Sequence, residues 1–286
     1  MFSHDRDILH NMEANGSSCR RILAFVFVVV STGCSRTAAP TQQSSSDIAT
    51  LTGACDQGKY TACFSLGTKF MSGSGVSKDE ARAVALFQRA CDNGDGQGCT
   101  GLAFMYETGS GLPKDTTRAV TLYRQACDRG DGLGCAMLGT MYEDGKRIAK
   151  DVASAVKLYQ RGCDSGNAMG CGELGRMYFY GNGVAIDEVQ AVKLFQRACD
   201  GNDARGCASL GAAYGVGKGV AKDETRAATF FQRACDLNKA EACATLAAVY
   251  ETGTGVAKDG ARASVLYQKA CGMGLKQACA DASRVH

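Results

Sequence analysis

The sequence predicts an all-α fold, an α/α superhelical solenoid of helix hairpins. Three observations predict it: a fixed period, two helical faces in every period, and a glycine-containing loop between them. Seven cysteine pairs have the spacing C-x7-C, and the first members of successive pairs lie 36 residues apart without an insertion. A period of this size is typical of repeat proteins, in which each repeat stacks on its neighbours. We therefore expect the 286 residues to form one elongated domain.

The first element of each repeat is a predicted helix, which we call helix A. In the first repeat its inward residues lie at positions i, i+3, i+4 and i+7, the spacing of one helix face. These residues are Cys63, Leu66, Gly67 and Phe70. The glycine returns in later repeats at positions 139, 175 and 211. A helical glycine costs about 1 kcal/mol relative to alanine, so we expect another helix to approach closely there.

A loop and a second helix, helix B, complete the repeat. The loop reads GSGVSKD from Gly73 and returns as GSGLPKD, GKGVAKD and GTGVAKD. Its two glycines allow the turn conformations, and its aspartate is placed to cap the next helix through the first backbone amides. Helix B follows, as in DEARAVALFQRAC, and repeats the one-face spacing with Ala83, Leu86, Phe87 and Ala90.

The cysteine pairs are placed to join one hairpin to the next. The first cysteine ends helix B and the second lies on the first turn of the next helix A, so a disulfide there contributes roughly 2.6 kcal/mol in the chain-entropy model. Zinc ligation is the alternative, but zinc sites favour C-x2-C spacings and often include histidine. The repeats contain no histidine. We predict local disulfides, although other pairings are formally possible. The predicted pairs are Cys55 and Cys63, Cys91 and Cys99, Cys127 and Cys135, Cys163 and Cys171, Cys199 and Cys207, Cys235 and Cys243, and Cys271 and Cys279.

The residues before the repeats have the layout of a signal peptide. Arg20 and Arg21 precede an apolar run over residues 22–30, and a polar stretch follows. The run is too short to cross a bilayer, which takes a helix of roughly 20 residues. We expect a signal peptide over residues 1–33 with Met12 as an alternative start, a low-complexity tether over 34–47, and the solenoid over 48–286 with six full repeats and end helices.

The same region and the cysteines predict an exported protein. Residues 31–34 read S-T-G-C and resemble the lipobox of bacterial lipoproteins, with Cys34 as the lipidated residue. Ser31 departs from the usual leucine, so ordinary cleavage after Gly33 or near Ala39 stays open. Disulfides persist in the periplasm or outside the cell and are reduced in the cytosol. We therefore expect a bacterial periplasmic protein or outer-membrane lipoprotein, with secretion as a further alternative.

The repeat phrases resemble a known family. A-x-x-x-L-G-x-M-Y, G-x-G-V-x-K-D and A-x-x-L-F/Y-Q-R-A-C look like Sel1-like repeats, and C-x7-C in every repeat resembles the Helicobacter cysteine-rich protein family. The resemblance covers about residues 48–284 and implies a disulfide-bridged solenoid related to tetratricopeptide repeats. It also implies an adaptor that holds partner proteins, or alternatively a penicillin-binding protein or a weak β-lactamase-like hydrolase. Local departures are Arg147 at the second loop glycine, Gly162 at the helix B alanine and Ile186 at the loop lysine.

Three short motifs bear on the hydrolase alternative. Residues 154–157 match S-x-x-K, the nucleophile motif of serine β-lactamases, while YGN at 180–182 and KDG at 258–260 echo the accompanying motifs. Ser154 lies on helix B where other repeats have arginine or glutamine, and the motifs are far apart along a solenoid. A histidine-dependent site is also unavailable in the repeats. We predict no catalytic residue, no metal site and no cofactor.

A stripe on helix A is the predicted binding surface. Positions equivalent to 61, 65, 68 and 72 lie opposite the buried face, and their residues change freely between repeats. If helix A lines the concave side, the stripe is a groove with apolar residues at its middle, which indicates a binding site. The predicted partner-binding residues are Phe104, Leu133, Met137, Met169, Glu173, Arg176 and Tyr180.

The expected function is that of a monomeric scaffold that binds a peptide or protein partner on this concave face. A net charge of +3 with 21% charged residues implies neither nucleic acid nor anionic lipid as a partner. The membrane is involved only through the N-terminal lipid. Two alternatives remain, a penicillin-binding or weakly β-lactamase-like hydrolase and a passive spacer without a ligand.

Overall fold

The computed structural model describes residues 42–285, with side chains from residue 46. Met12, Cys34 and the predicted signal peptide lie outside the described residues. Fourteen helices and no strand form this part of the chain. They are α1 (Gln42–Asp56), α2 (Tyr60–Ser72), α3 (Glu80–Asp92), α4 (Gly96–Thr108), α5 (Thr116–Asp128), α6 (Gly132–Asp144), α7 (Val152–Asp164), α8 (Ala168–Tyr180), α9 (Glu188–Asp200), α10 (Ala204–Val216), α11 (Glu224–Asp236), α12 (Ala240–Thr252), α13 (Gly260–Gly272) and α14 (Lys276–Arg284).

The helices alternate between the two predicted types and stack in chain order. The even-numbered helices α2 to α12 are A helices, and the odd-numbered helices α3 to α13 are B helices. Hairpin one therefore consists of α2 and α3, and hairpin six consists of α12 and α13. α1 and α14 cover the two ends, and the predicted all-α solenoid is confirmed. α1 begins at Gln42, inside the predicted tether, because Ile48 and Leu51 anchor it on the core of the first hairpin. No helix within residues 42–285 is long and apolar enough to cross a membrane.

Backbone capping determines where the helices begin and end. The Asp79 side chain accepts a hydrogen bond from the backbone N–H of Arg82 at 2.9 Å, and the loop aspartates of the other five hairpins do the same, as predicted. Each A helix from α2 to α12 ends at a glycine in the left-handed conformation, such as Gly73 with φ 74°. A side chain there would strain the backbone. Local sequence therefore sets both ends of the loop.

The core lies between the two helices of each hairpin and the B helix before them. The A-helix glycines let these helices approach, as predicted: a Cβ on Gly67 would lie 2.7 Å from the Phe87 ring, and one on Gly139 would lie 2.8 Å from the Tyr159 ring. A row of fully buried methionines, which the spacing did not predict, lies on the same helices. Its members are Met105, Met141 and Met177.

The aromatic residue at i+7 is less buried than its spacing predicts. Phe70 is buried, but its equivalents Tyr106 and Tyr142 are half-buried. Their hydroxyl groups reach the surface, where Arg118 donates to Tyr106 Oη at 3.0 Å and its guanidinium carbon lies 5.5 Å from the ring centroid. An arginine covers the equivalent ring in three other hairpins. Cation–π contacts therefore close the outer edge of the core in four of the six hairpins.

The cysteines of the repeats form the seven predicted disulfides. The Cα atoms of bridged residues are 4.4–4.8 Å apart. Each bridge links the last turn of a B helix, or of α1, to the first turn of the next A helix or of α14. Because every one of these sulfur atoms is bonded to another sulfur, the cysteines act as staples between consecutive hairpins and not as zinc ligands.

The A helices line the inner side of the superhelix. Consecutive A helices contact one another from α2 to α10, whereas contacts between consecutive B helices are fewer. The row of helices that lies closer together forms the concave surface of a curved solenoid. The stripe predicted along helix A therefore faces a groove.

Candidate binding cleft

Three of the predicted partner-binding residues line one open cleft on the concave side. Phe104 lies on α4, and Leu133 and Met137 lie on α6. The cleft crosses α2, α4 and α6 and has a volume of about 540 Å³. Phe104 is 40% exposed and Leu133 is 41% exposed. Large apolar side chains that stay exposed in one concavity are typical of a binding site.

Other parts of the cleft come from residues outside the predicted partner-binding set. Phe64 and Met71 contribute from α2, and Phe87, predicted as a core residue, contributes from α3, whereas Thr68 of α2 lies on the predicted stripe. The ring centroids of Phe64 and Phe87 are 5.7 Å apart. Gly101 leaves room for this aromatic pair, since a Cβ there would lie 2.8 Å from the Phe87 ring. The sequence feature that could have predicted this part of the cleft is Phe64, an aromatic residue where the other repeats have threonine, alanine or glycine.

The one charged side chain among the described lining residues is already paired. Thr100 donates its hydroxyl to the carboxylate of Asp131. The same carboxylate accepts the backbone N–H of Gly134 at 3.0 Å and so caps α6. A charged ligand group would lose its hydration here without gaining a partner. The cleft therefore favours an apolar side chain.

Met169 and Tyr180 lie outside this cleft, so the predicted apolar cluster is divided. Met169 is half-buried and packs against the core shared by hairpins three and four. Tyr180 is 68% exposed, and its ring centroid lies 5.1 Å from that of Phe179. The two residues occupy opposite ends of α8, about 16 Å apart along its axis. Their role in partner binding stays a prediction.

Glu173 and Arg176 line a second, charged depression of about 380 Å³ on α8 and α10. Arg176 donates to Glu173 at 2.9 Å and to Glu143 at 2.5 Å and 2.6 Å. Arg205 then pairs with Glu173 at 2.8 Å. Although burial opposes the charge, the hydrogen bonds to Glu143 and Glu173 raise the pKa of Arg176 above its usual value. Glu173 and Arg176, both predicted to bind a partner, are therefore part of an ion-pair chain across three hairpins.

A polar connection between hairpins recurs along the solenoid. In hairpin two the Tyr123 hydroxyl donates to Glu107 at 2.8 Å, and Arg147 of hairpin three pairs with Glu107 at 3.0 Å. Burial, followed by the nearby carboxylate, raises the pKa of Tyr123, so the phenol stays a hydrogen-bond donor. This ion pair explains why Arg147 replaces a loop glycine. Two other hairpins have the same tyrosine and glutamate, but their arginine comes from the next helix, α8 or α14, and not from the loop. These trios are Tyr159, Glu143 and Arg176, and Tyr267, Glu251 and Arg284.

The other three hairpins have an apolar version of this connection. Phenylalanine replaces the tyrosine, and an uncharged residue replaces the glutamate. The pairs are Phe87 with Met71, Phe195 with Phe179, and Phe231 with Gly215. The two positions change together in all six hairpins, as expected for residues whose side chains meet. This paired change, at a separation of 16 residues, is the sequence signal for the connection.

The motifs that suggested a hydrolase do not converge. The Ser154 hydroxyl donates at 2.5 Å to Asp151, the N-cap of α7. No hydrogen bond joins Ser154 to Lys157 in the described part of the chain. The YGN motif lies at the end of α8, and the KDG motif lies at the start of α13, with hairpin five between them. A serine nucleophile needs its base within hydrogen-bond reach. Nothing in this arrangement supports the hydrolase alternative.

Comparison with known proteins matches the repeats to one family. The family model described as Sel1 repeat matches six consecutive segments, residues 61–95, 96–131, 132–167, 168–203, 204–239 and 240–275. None of the curated proteins matches the chain. The matched segments follow the 36-residue period of the cysteines and cover all six hairpins.

Several solved structures are similar to this chain. A protective antigen of uropathogenic Escherichia coli is 28% identical with a TM-score of 0.62, over 80% of this chain and 49% of that one. This chain thus spans about half the length of that protein. A Sel1 repeat protein of Oxalobacter formigenes is 26% identical with a TM-score of 0.69, over 79% of this chain and 99% of that one. Helicobacter pylori cysteine rich protein B is 31% identical over 48% of this chain and 99% of its own, with a TM-score of 0.39.

Proposed function

The chain belongs to the Sel1 repeat family, and we propose that it is an exported scaffold whose concave face binds an extended peptide segment of a protein partner. The observation that carries the proposal is the open apolar cleft of hairpins one to three, in which Phe104 and Leu133 remain exposed. Covering such surface with a partner is favourable by about 25 cal/mol for each Å² of apolar area removed from water.

The spacing of the A helices favours an extended peptide as the ligand. Packed helices are separated by about 8–10 Å, and the cleft crosses three A helices in succession. A polyproline II segment rises about 3.1 Å per residue with three residues per turn, so every third side chain points the same way at intervals of about 9.3 Å. Apolar side chains at positions i and i+3 of such a segment would meet successive A helices.

Export and oxidation are the second part of the proposal. Seven disulfides suit an oxidising compartment, because the cytosol keeps thiols reduced. We propose that residues 1–33 direct the chain to the bacterial periplasm and that residues 34–47 tether the solenoid. Cys34 is the proposed lipid anchor, and the protein acts as a monomer.

A peptide selection tests the binding proposal. Random peptides displayed on phage are selected on the oxidised wild-type protein, and affinities are measured by fluorescence polarisation. We expect apolar residues at i and i+3, and at least about tenfold weaker binding by the variant Phe104→Glu, Met137→Glu, because a charge in an apolar contact loses its hydration. Val265→Glu, which changes an exposed residue of α13 outside the cleft and outside the predicted binding residues, should bind normally. The proposal is contradicted if the selected peptides bind the double variant Phe104→Glu, Met137→Glu as tightly as wild type, or if no peptide is recovered.

A further inference from the structure

A third depression, on the side of the B helices, contains a cluster of positive charge. It has a volume of about 340 Å³ and lies between α5 and α7, with α6 at its base. Three of its lining residues are cations, Arg124, Lys157 and Arg161, and one is an acid, Asp128. No residue of this depression belongs to the concave cleft.

The preceding hairpin has the same depression without this charge. Its volume is about 290 Å³. Gln88, Thr121 and Gln125 stand where the charged site has its three cations, each 36 residues earlier in the sequence. Arg118 is the one charged residue of its lining, and its guanidinium group lies over the Tyr106 ring in a cation–π contact. The cluster therefore belongs to one junction and is not a general property of the repeat.

One change within the repeat opens the site. Four hairpins have an arginine at the position of Ser154, and that arginine covers the aromatic ring beneath it. Ser154 is too short to cover Tyr142, and its hydroxyl is already bound to Asp151. The gap is reached instead by Arg124 of the neighbouring hairpin, which donates to Tyr142 Oη at 3.0 Å.

Two of the three cations form no salt bridge among the described residues. Arg124 and Lys157 make no ion pair within the part of the chain that the structure describes. Arg161 pairs with Asp128 at 3.2 Å and also donates to a backbone carbonyl at 3.1 Å. In four other hairpins a glutamine at the position of Arg124 binds an aspartate one turn later. The depression thus has three positive charges near two carboxylates, Asp128 and Asp151; Asp151 caps α7 and attracts Lys157 without forming a salt bridge to it.

We propose that this depression binds a phosphate group. Guanidinium groups match phosphate oxygens by two parallel hydrogen bonds, and an ammonium adds a compact charge. Arg124 and Lys157 are exposed, and the Tyr142 hydroxyl, which accepts a hydrogen bond from Arg124, can donate one to a ligand oxygen. Because the site lies among the B helices, phosphate binding is independent of the proposed peptide cleft.

Calorimetric titration with inorganic phosphate tests the site. Arg124→Gln and Lys157→Thr restore residue types found at these positions in other repeats, so both variants should fold. Lys193→Thr changes the equivalent lysine of the next hairpin and is the matched control. We expect wild type and control to bind one phosphate each, and both cluster variants to bind it about tenfold more weakly after losing a charge-assisted hydrogen bond.

A parallel measurement distinguishes the sources of the phosphate group. Vesicles containing phosphatidic acid are compared with vesicles of phosphatidylcholine alone in a sedimentation assay. Binding to the former that is lost in Arg124→Gln supports a phosphate carried by a lipid, and binding of inorganic phosphate alone supports a soluble ligand. Equal binding by all four proteins, or binding of neither probe by wild type, overturns the proposal.

Discussion

Converting a polar connection between hairpins into the apolar type should cost far less than breaking it. Tyr123 is fully buried, and its hydroxyl donates to Glu107 at 2.8 Å. The Glu107 side chain is 12% exposed and also pairs with Arg147 at 3.0 Å. Hairpin one has Met71 and Phe87 at the two equivalent positions. The double variant Tyr123→Phe, Glu107→Met therefore copies an arrangement that the chain already contains.

Each single substitution leaves a group without its partner. Tyr123→Phe removes a hydrogen bond to a carboxylate, which contributes about 1.5–3 kcal/mol. Glu107→Met leaves the buried Tyr123 hydroxyl without its acceptor at a cost of about 1–3 kcal/mol, while Arg147 keeps its ion pair with Asp144 at 3.0 Å. The double variant replaces both partners of this hydrogen bond, so it loses the bond once and leaves no buried hydroxyl without an acceptor. We expect its cost to be at least about 1.5 kcal/mol smaller than the sum of the two single costs.

Guanidinium chloride unfolding of the four oxidised proteins, followed by circular dichroism, measures this difference. Unchanged dependence of the unfolding free energy on denaturant would show that the variants unfold to the same extent as wild type. Costs that add to within about 0.5 kcal/mol would refute the reasoning, because residues that do not interact behave additively.

Other changes test the staples, the caps and the charged trios. Replacing Cys127 and Cys135 by alanine should lower the free energy of unfolding by roughly 2.6 kcal/mol in the same denaturation assay, through the lost constraint on the unfolded chain; a negligible loss would contradict this account. Asp79→Ala should cost about 1 kcal/mol by the loss of an N-cap, whereas Asp79→Asn should retain most of the stability; equal thermal midpoints for the two variants would count against the cap. The hydrogen bond from Arg284 lowers the pKa of Glu251 below its ordinary value of 4.5, so its stabilising effect is present above that pH and is lost as the pH falls through the lowered value. Denaturation near about pH 7 and about pH 3 should therefore show a smaller acid loss for Glu251→Gln than for wild type.

The repeat period made the helices, caps and staples predictable from sequence. Each of these features depends on residues that are close together in the chain: the cap on Asp79 spans three positions, and the Cys91 to Cys99 bridge spans eight. The spacing at i, i+3, i+4 and i+7 describes a single helix face. The burial of Met105 was not predicted because an A helix has two buried faces, one against its own B helix and one against the B helix before it.

The binding surfaces were predictable only in part, because they depend on contacts between hairpins. A concave stripe follows from the repeat, but the depth of the cleft depends on one large side chain, Phe64, next to one missing side chain, at Gly101. The charge on the opposite side arises where Arg124 of one hairpin meets Lys157 of the next, 33 positions later. The net charge of the whole chain, +3, does not reveal such a local cluster.

The short reach of the disulfides also bears on how the protein is made. Both cysteines of a pair lie within eight positions, so they emerge from a ribosome or a membrane pore almost together. A loop of about ten residues closes in about 10–100 ns, whereas a chain grows at about 5–20 residues per second. Each cysteine therefore has its correct partner within reach before the first cysteine of the next pair appears. Oxidation can then proceed in the order of synthesis, and the N-terminal hairpins do not wait for the C-terminal end.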